Sequence, residues 1–348
     1  MIISRTPFRI SFFGGGTDYP AWYRQHGGAA LATTISKYCY ITCRWLPPFF
    51  EHKSRIVWRL VELVQENSEI QHPSVRATLE LLGITQGVEL HHDGDLPART
   101  GLGSSSAFTV GLLNALKGLQ GVMASKMQLT REAIRIEQEI LKENVGSQDQ
   151  AITAHGGFNR MDFGRDGGIQ VSPILLGPER LDELQDHLLL IYTGVSRTAS
   201  EIAGAQIQAT ARKEAELKAM QGMVDEAVRI LQEREDLEAF GRLLHESWLL
   251  KRGLTSKVST PLVDEVYERA RRAGAIGGKL LGAGGGGFLL LFVRPEDQPR
   301  VLESLEKFLH VPFRFETAGS RIIFYDPDGT APERKVTALA GEGANAGR

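Results

Sequence analysis

The chain has two cysteines in 348 residues, Cys39 and Cys43, too few for a four-thiolate metal site. Their spacing places both on one face of a strand. They are expected to be reduced core residues of a cytoplasmic protein. An excess of one charge is also missing: 40 Lys+Arg stand against 42 Asp+Glu, a formal net charge of −2. Without a basic face, neither nucleic acid nor an anionic membrane surface is an expected partner. No apolar run reaches spanning length, and Arg5 and Arg9 interrupt the apolar N-terminal pattern, which argues against a signal peptide or membrane helix. A small-molecule enzyme of about two domains fits these absences best.

The stretch LPARTGLGSSSA, residues 96–107, organises the reading. Gly101 and Gly103 let backbone N–H groups approach an anion closely, and the serines after them open a helix whose first amides lack intrahelical partners. An anionic ligand suits such a terminus, although turn and cap chemistry alone would use the same residues. The apolar run 107–119 that follows reads as a buried helix.

Upstream, residues 2–13 read as a strand ending at Gly14-Gly15-Gly16-Thr17-Asp18, with Thr17 or Asp18 as a cap for a short helix at Pro20. Residues 29–35 and 38–45 read as two strands, and 88–92 as a third. Downstream, residues 130–143 read as a helix. Advancing about 100° per residue from Glu137, Ala133, Ile134, Ile136, Ile140 and Leu141 share its arc, while Arg131, Arg135, Glu139, Lys142 and Glu143 lie opposite. A carboxylate inside an apolar face calls for a cation, a metal or a structural ion pair. Gly146 then breaks the helix, and Asp149 stands at the start of a new one, either as a cap or as a functional carboxylate on a glycine-hinged loop.

Residues 173–183 form a polar, proline-containing connection, the best domain boundary. Beyond it come a strand at 187–192, a loop carrying Arg197 into a helix from about Ala199, further helices, and a strand, glycine loop and strand over 276–293. A helix at 296–309 and strands at 313–315 and 321–325 are expected to finish a compact βαβ-rich unit. The tail from Asp328 has the composition of a disordered segment. Arg197 opposes the helix dipole, so either an anion or plain solvation accounts for it.

Three familiar phosphate motifs fail here. Gly282 to Gly287 satisfies GxGxxG, but a dinucleotide site needs strand, glycines and then a helix, whereas these glycines lie between two strands. Lys279 is followed by Leu280 rather than Ser or Thr, and position 273 is alanine, so no Walker loop exists there. Asp162-Phe163-Gly164 lacks the preceding HRD triplet and stands in the wrong order relative to the glycine-rich loop for a protein kinase.

TPFRISFFGGGTDYP, LPARTGLGSSSA and KLLGAGGGGF together resemble, in order and spacing, the three motifs of the GHMP kinase superfamily. With ENVGSQDQ and YTGVSRTAS the pattern is similar to the heptose kinases that phosphorylate D-glycero-D-manno-heptose 7-phosphate at its anomeric hydroxyl, for nucleotide-activated heptose and surface polysaccharide. The resemblance implies an α+β fold of two domains with the active site in the cleft between them. An ATP-binding domain would span 1–180, a ferredoxin-like domain 181–327 and a tail 328–348.

The resemblance also implies roles. Arg99, Thr100, Gly101, Leu102, Gly103, Ser104, Ser105 and Ser106 would wrap the ATP phosphates, with Ser105 and Glu137 as Mg2+ ligands. Asp149 would take or orient the sugar hydroxyl proton beside Arg9. Gly15, Gly16, Thr17 and Asp18 would bind substrate, with Gly284 and Gly285 of the last glycine loop, which also supports the phosphate loop. Galactokinases carry Glu-His where this chain has Gly15-Gly16, so galactose is disfavoured and a bulkier, phosphorylated sugar has room. Arg197 would then hold its distal phosphate. The rival readings are a fucose or mannose 1-kinase and a catalytically silent sugar sensor. The resemblance allows a homodimer.

Overall fold

The computed structural model describes residues 1–194, 199–233 and 236–326. Arg197 and the tail lie outside the described residues. Alternation and β-branched residues drive Ile2–Phe13 and Gly28–Trp45 into a long antiparallel pair, the spine of a nine-stranded sheet. Its main path runs Arg321–Tyr325, Ile2–Phe13, Gly28–Trp45, Val88–Gly94, Ser54–Val57 and Val61–Val64. Phe158–Phe163 and Phe315–Glu316 also pair with the long second strand, and Ile169–Pro173 extends the sheet beyond the former.

Residues 29–35 and 38–45, expected as two strands, are one. Its register against the first strand shifts between Pro7 and Phe8, where the missing proline N–H interrupts the ladder. Cys39 and Cys43 are buried and free. Burial pushes the Cys43 thiol up to about 12, as expected of inert core thiols.

The helix Ser104–Leu119 lies on this sheet, against its first two strands, with most of its residues buried. Each fully buried Leu on it contributes about 1.5–3 kcal/mol relative to exposure. A second sheet, wholly antiparallel, has the order Leu309–His310, Leu188–Tyr192, Phe288–Phe292 and Gly277–Leu280. Phe288–Phe292 is buried at every position, and the helix Glu238–Arg252 packs on its neighbour.

Several expectations shift. The polar stretch 173–183 contains the end of strand Ile169–Pro173 and the start of helix Pro178–Asp186, so the 180/181 boundary falls inside a helix. The expected helix at 296–309 is one short turn, then Gln298–Ser304, and Leu309 already belongs to a strand. Arg321–Tyr325 does not complete the second unit: it pairs antiparallel with Ile2–Phe13 of the first sheet. Local patterning identifies a strand but carries no information about its partner. The expected helix 130–143 is α-helical only over Lys126–Ile134, and a π-helical stretch, Arg135–Ile140, follows and carries Glu137.

Candidate active site

Arg9 sits in the middle of the first strand and is almost wholly buried. Its Nε donates to Asp149 Oδ1 at 2.8 Å and its Nη2 to Oδ2 at 2.6 Å, a two-pronged ion pair. Nη1 donates to the Gly101 carbonyl at 2.6 Å, and the Arg9 backbone N–H to that of Leu102 at 3.0 Å. One arginine thus ties the 99–106 loop to Asp149. The Asp149 side chain keeps a quarter of its surface, so the pair opens to solvent on the carboxylate side.

The loop is held from behind. A Cβ on Gly101 would stand 2.4 Å from the Leu281 carbonyl oxygen, and one on Gly282 would stand 2.5 Å from the Gly101 Cα. Two backbone segments far apart in the sequence touch here, and only glycine permits that approach. Phe288 N–H donates to the Thr100 carbonyl at 3.1 Å, and Thr100 Oγ1 to Pro97. The Leu102 side chain is buried in the core. Thr100 and Leu102 therefore anchor the loop, while its outer residues, Arg99 and Ser105, are exposed. Gly103, at φ 72°, opens the helix with no side chain capping it, which leaves first-turn amides for an anion.

Glu137 is buried, as its helical arc indicated. Its Oε2 accepts from Ser106 Oγ at 2.9 Å and from Gln150 Nε2, while among the described residues Oε1 has no hydrogen-bond partner. Burial pushes its carboxyl up to about 7, opposed by the polar side chains of Thr109, Gln150 and Ser106 around it. The serine bonded to Glu137 is Ser106; Ser105, expected to share a metal ion with Glu137, faces solvent one helical step away.

Asp18 was expected as a helix cap or a sugar ligand. Its Oδ1 accepts from the Gly16 N–H at 2.9 Å and its Oδ2 from that of Gln148 at 3.4 Å, so it joins the first glycine loop to the Asp149 helix. The short helix Pro20–His26 receives no side-chain cap. Gly146 makes the joint possible, since a Cβ there would lie 1.8 Å from Asp18 Oδ2. Burial, then the neighbouring Asp149, raises the Asp18 carboxyl above its ordinary range.

Four of the expected substrate positions, Thr17, Gly285, Gly284 and Gly16, are engaged in packing. Thr17 is fully buried and spends its hydroxyl on the Gly14 and Ala29 carbonyls, so it closes the loop. Gly285 is buried with its amide on the Val258 carbonyl, and a Cβ on Gly284 would stand 2.6 Å from that same oxygen. These two glycines pack the loop onto Val258. Gly16 is likewise buried, toward Leu217.

Two buried lysines stand behind the site; the sequence offered Lys279 only as a failed Walker lysine and Lys251 not at all. Lys251 is buried and donates from Nζ to the carbonyls of Leu280, at 2.9 Å, and Gly282, at 2.5 Å. Burial and then Arg9 push it down to about 7, opposed by Asp18 and Asp149. Lys279 Nζ donates to the Phe12 carbonyl at 2.7 Å, and burial holds it well below the usual lysine range. The positions of Leu244, Trp248 and Lys251 on one helix face were the available signal for the first. A separate cavity of about 390 Å³, lined in part by Ser36, Gln185, His310 and Arg314, includes none of these groups.

The geometry therefore comprises an anion-ready helix terminus, an arginine–aspartate pair and a buried acid with one free oxygen, where the two sheets meet. Family models describe the same two halves: the GHMP kinases N terminal domain matches residues 56–157 and the GHMP kinases C terminal model matches 223–311. The chain belongs to the GHMP kinases. Among relatives of this GHMP kinase, a D-glycero-alpha-D-manno-heptose 7-phosphate kinase of Campylobacter jejuni is 27% identical over 88% of this chain and 93% of its own length. A bifunctional fucokinase/GDP-fucose pyrophosphorylase of Arabidopsis thaliana is 23% identical over 85% of the chain, which spans 30% of that larger protein. The solved structure of a D-glycero-D-manno-heptose 1-phosphate kinase from Bacteroides thetaiotaomicron superposes with a TM-score of 0.74 at 24% identity, over 92% of this chain and 98% of that one. The fold is that of the GHMP kinases, as the motifs implied.

Proposed function

We propose that this kinase transfers the γ-phosphoryl group of ATP to the anomeric hydroxyl of D-glycero-D-manno-heptose 7-phosphate, giving the 1,7-bisphosphate and ADP. The reaction would serve nucleotide-activated heptose and surface polysaccharide synthesis in the cytoplasm. The observation that carries this reading is the Arg9–Asp149 pair, locked to the phosphate loop through Gly101 and open on its carboxylate side. Similarity to the Campylobacter enzyme along nearly its whole length supports the sugar.

The bond that forms joins the sugar oxygen to the γ-phosphorus, and the bond that breaks releases ADP. Asp149 accepts the hydroxyl proton, and Arg9 fixes the carboxylate's orientation while holding the phosphate loop beside it. First-turn amides of Ser104–Leu119 supply oriented dipoles to phosphate oxygens. Glu137 Oε1 and the Ser106 hydroxyl bonded to the other carboxylate oxygen are oxygen donors, the class that would hold Mg2+ with phosphates and water completing its shell. When bound, Mg2+ supplies neutralisation of phosphate charge.

An ADP-release assay over heptose 7-phosphate, fucose, mannose and galactose with Mg2+ and ATP tests the proposal. Heptose 7-phosphate should give the highest kcat/KM, and Asp149→Asn should lower its kcat by about 10²–10⁴-fold. A preference for fucose would move the protein toward its fucokinase relatives. Binding of ATP and sugar without turnover would make it a sensor.

A further inference from the structure

The loop Gly14-Gly15-Gly16 contains three glycines of unequal necessity. Gly14, at φ 79°, would place a Cβ 1.9 Å from the Ala29 carbonyl oxygen, and Gly16, at φ 100°, would place one against Leu217. Both are demanded by the fold. Gly15 has an ordinary φ, and the nearest atoms to a Cβ there would be Gln148 Nε2 at 3.7 Å and Ser11 Oγ at 3.8 Å, normal contact distances. Neither backbone nor packing requires glycine at 15. From Thr6 to Tyr19 it is also the one residue that retains exposure. The site opens there, and the missing side chain leaves room for a ligand.

The group at the edge of that opening is the Gln148 amide. Gln148 precedes Asp149 at the start of the helix Gln148–His155, and its backbone N–H is held by Asp18. Ser11 Oγ donates to Gln148 Oε1 at 2.8 Å, which fixes the amide with its nitrogen turned the other way. Among the described residues Nε2 has no hydrogen-bond partner, and it is absent from the fully buried unpartnered atoms, so it still reaches solvent. A donor held by its own acceptor, one residue from Asp149 and facing the single gap in the loop, is poised for an acceptor oxygen on the incoming molecule. We propose that Gln148 is a specificity residue whose Nε2 donates a hydrogen bond to an oxygen of the sugar acceptor seated over Gly15, with Ser11 as the positioning residue that orients the amide. This rests on the sugar-kinase reading above.

The test is steady-state kinetics of the full chain with ATP and the sugar phosphate that the unmodified protein uses best. Gln148→Met should raise the KM for the sugar by about tenfold or more and leave that for ATP within about twofold, because only one ligand loses a partner. Gly15→Ala, which the backbone tolerates, should give the same split by covering Nε2, and it stands in if Gln148→Met does not fold. Deoxy analogues of the sugar identify the contact: the analogue that loses activity with unmodified enzyme should react as well as the parent sugar with Gln148→Met. Unchanged sugar KM in both variants, or equal rises for sugar and ATP, would overturn the role of Gln148 while leaving the kinase reading intact. If the unmodified protein phosphorylates no sugar, both fail together.

Discussion

Glu137 shows how a residue's burial becomes a testable property. Its native carboxyl titrates near 7 rather than at the ordinary 4.5 because it is desolvated. The folded state therefore binds this proton more tightly than the unfolded chain does. Its contribution is fully present below about 4.5 and is lost as pH rises through about 7. Glu137→Gln removes that dependence, so its melting temperature should gain on the unmodified protein between about pH 5 and 8, and turnover should fall steeply. Mg2+ with ATP should restore stability at the higher pH to the unmodified protein and much less to the variant; equal pH profiles would contradict a buried, cation-seeking carboxylate. Glu137 was legible because helical spacing places it among Ile136, Ile140 and Ala133. That Ser106 is the serine bonded to Glu137 was not legible in the motif, since three serines in a row satisfy it equally. The spacing of Ser106, Val110 and Leu113 marks the inward one.

Among the elements, the two glycine-bearing loops act as one. Gly101 and Gly282 let their backbones touch, Lys251 braces the second loop, and Arg9 braces the first. Gly101→Ala forces a Cβ into the Leu281 carbonyl at φ 87° and should cost about 2–4 kcal/mol in denaturant unfolding, with a raised KM for ATP. An unchanged ATP KM with full stability would show that the loops are independent. Sequence motifs located both loops but not their contact, because close approach of chain segments 180 residues apart leaves no local pattern. The π-helical stretch was equally silent: its wider turn leaves Ile140, expected on the apolar arc of Glu137, exposed.

For the whole molecule, the C-terminal strands close the first sheet. Phe315–Glu316 pairs with Gly28–Trp45, and Arg321–Tyr325 with Ile2–Phe13, the strand that carries Arg9. Truncation after Pro312 should therefore disturb the Arg9 strand from a distance, with loss of near-UV dichroism and activity. A truncated chain with native dichroism and turnover would deny that coupling. Composition and motif order made the α+β class and two-part organisation readable, whereas the return of the last strands to the first sheet depends on long-range pairing.

The proposed reaction is phosphoryl transfer to the anomeric oxygen with Asp149, held by Arg9, taking the proton. Phosphorus NMR of D-glycero-D-manno-heptose 7-phosphate incubated with ATP, Mg2+ and the enzyme tests it most directly, with Asp149→Asn in parallel. A new phosphate resonance coupled to the anomeric proton, appearing with ADP and absent on the same timescale from the variant, is the result expected. Phosphorylation at another carbon, or an undiminished signal from Asp149→Asn, would contradict it.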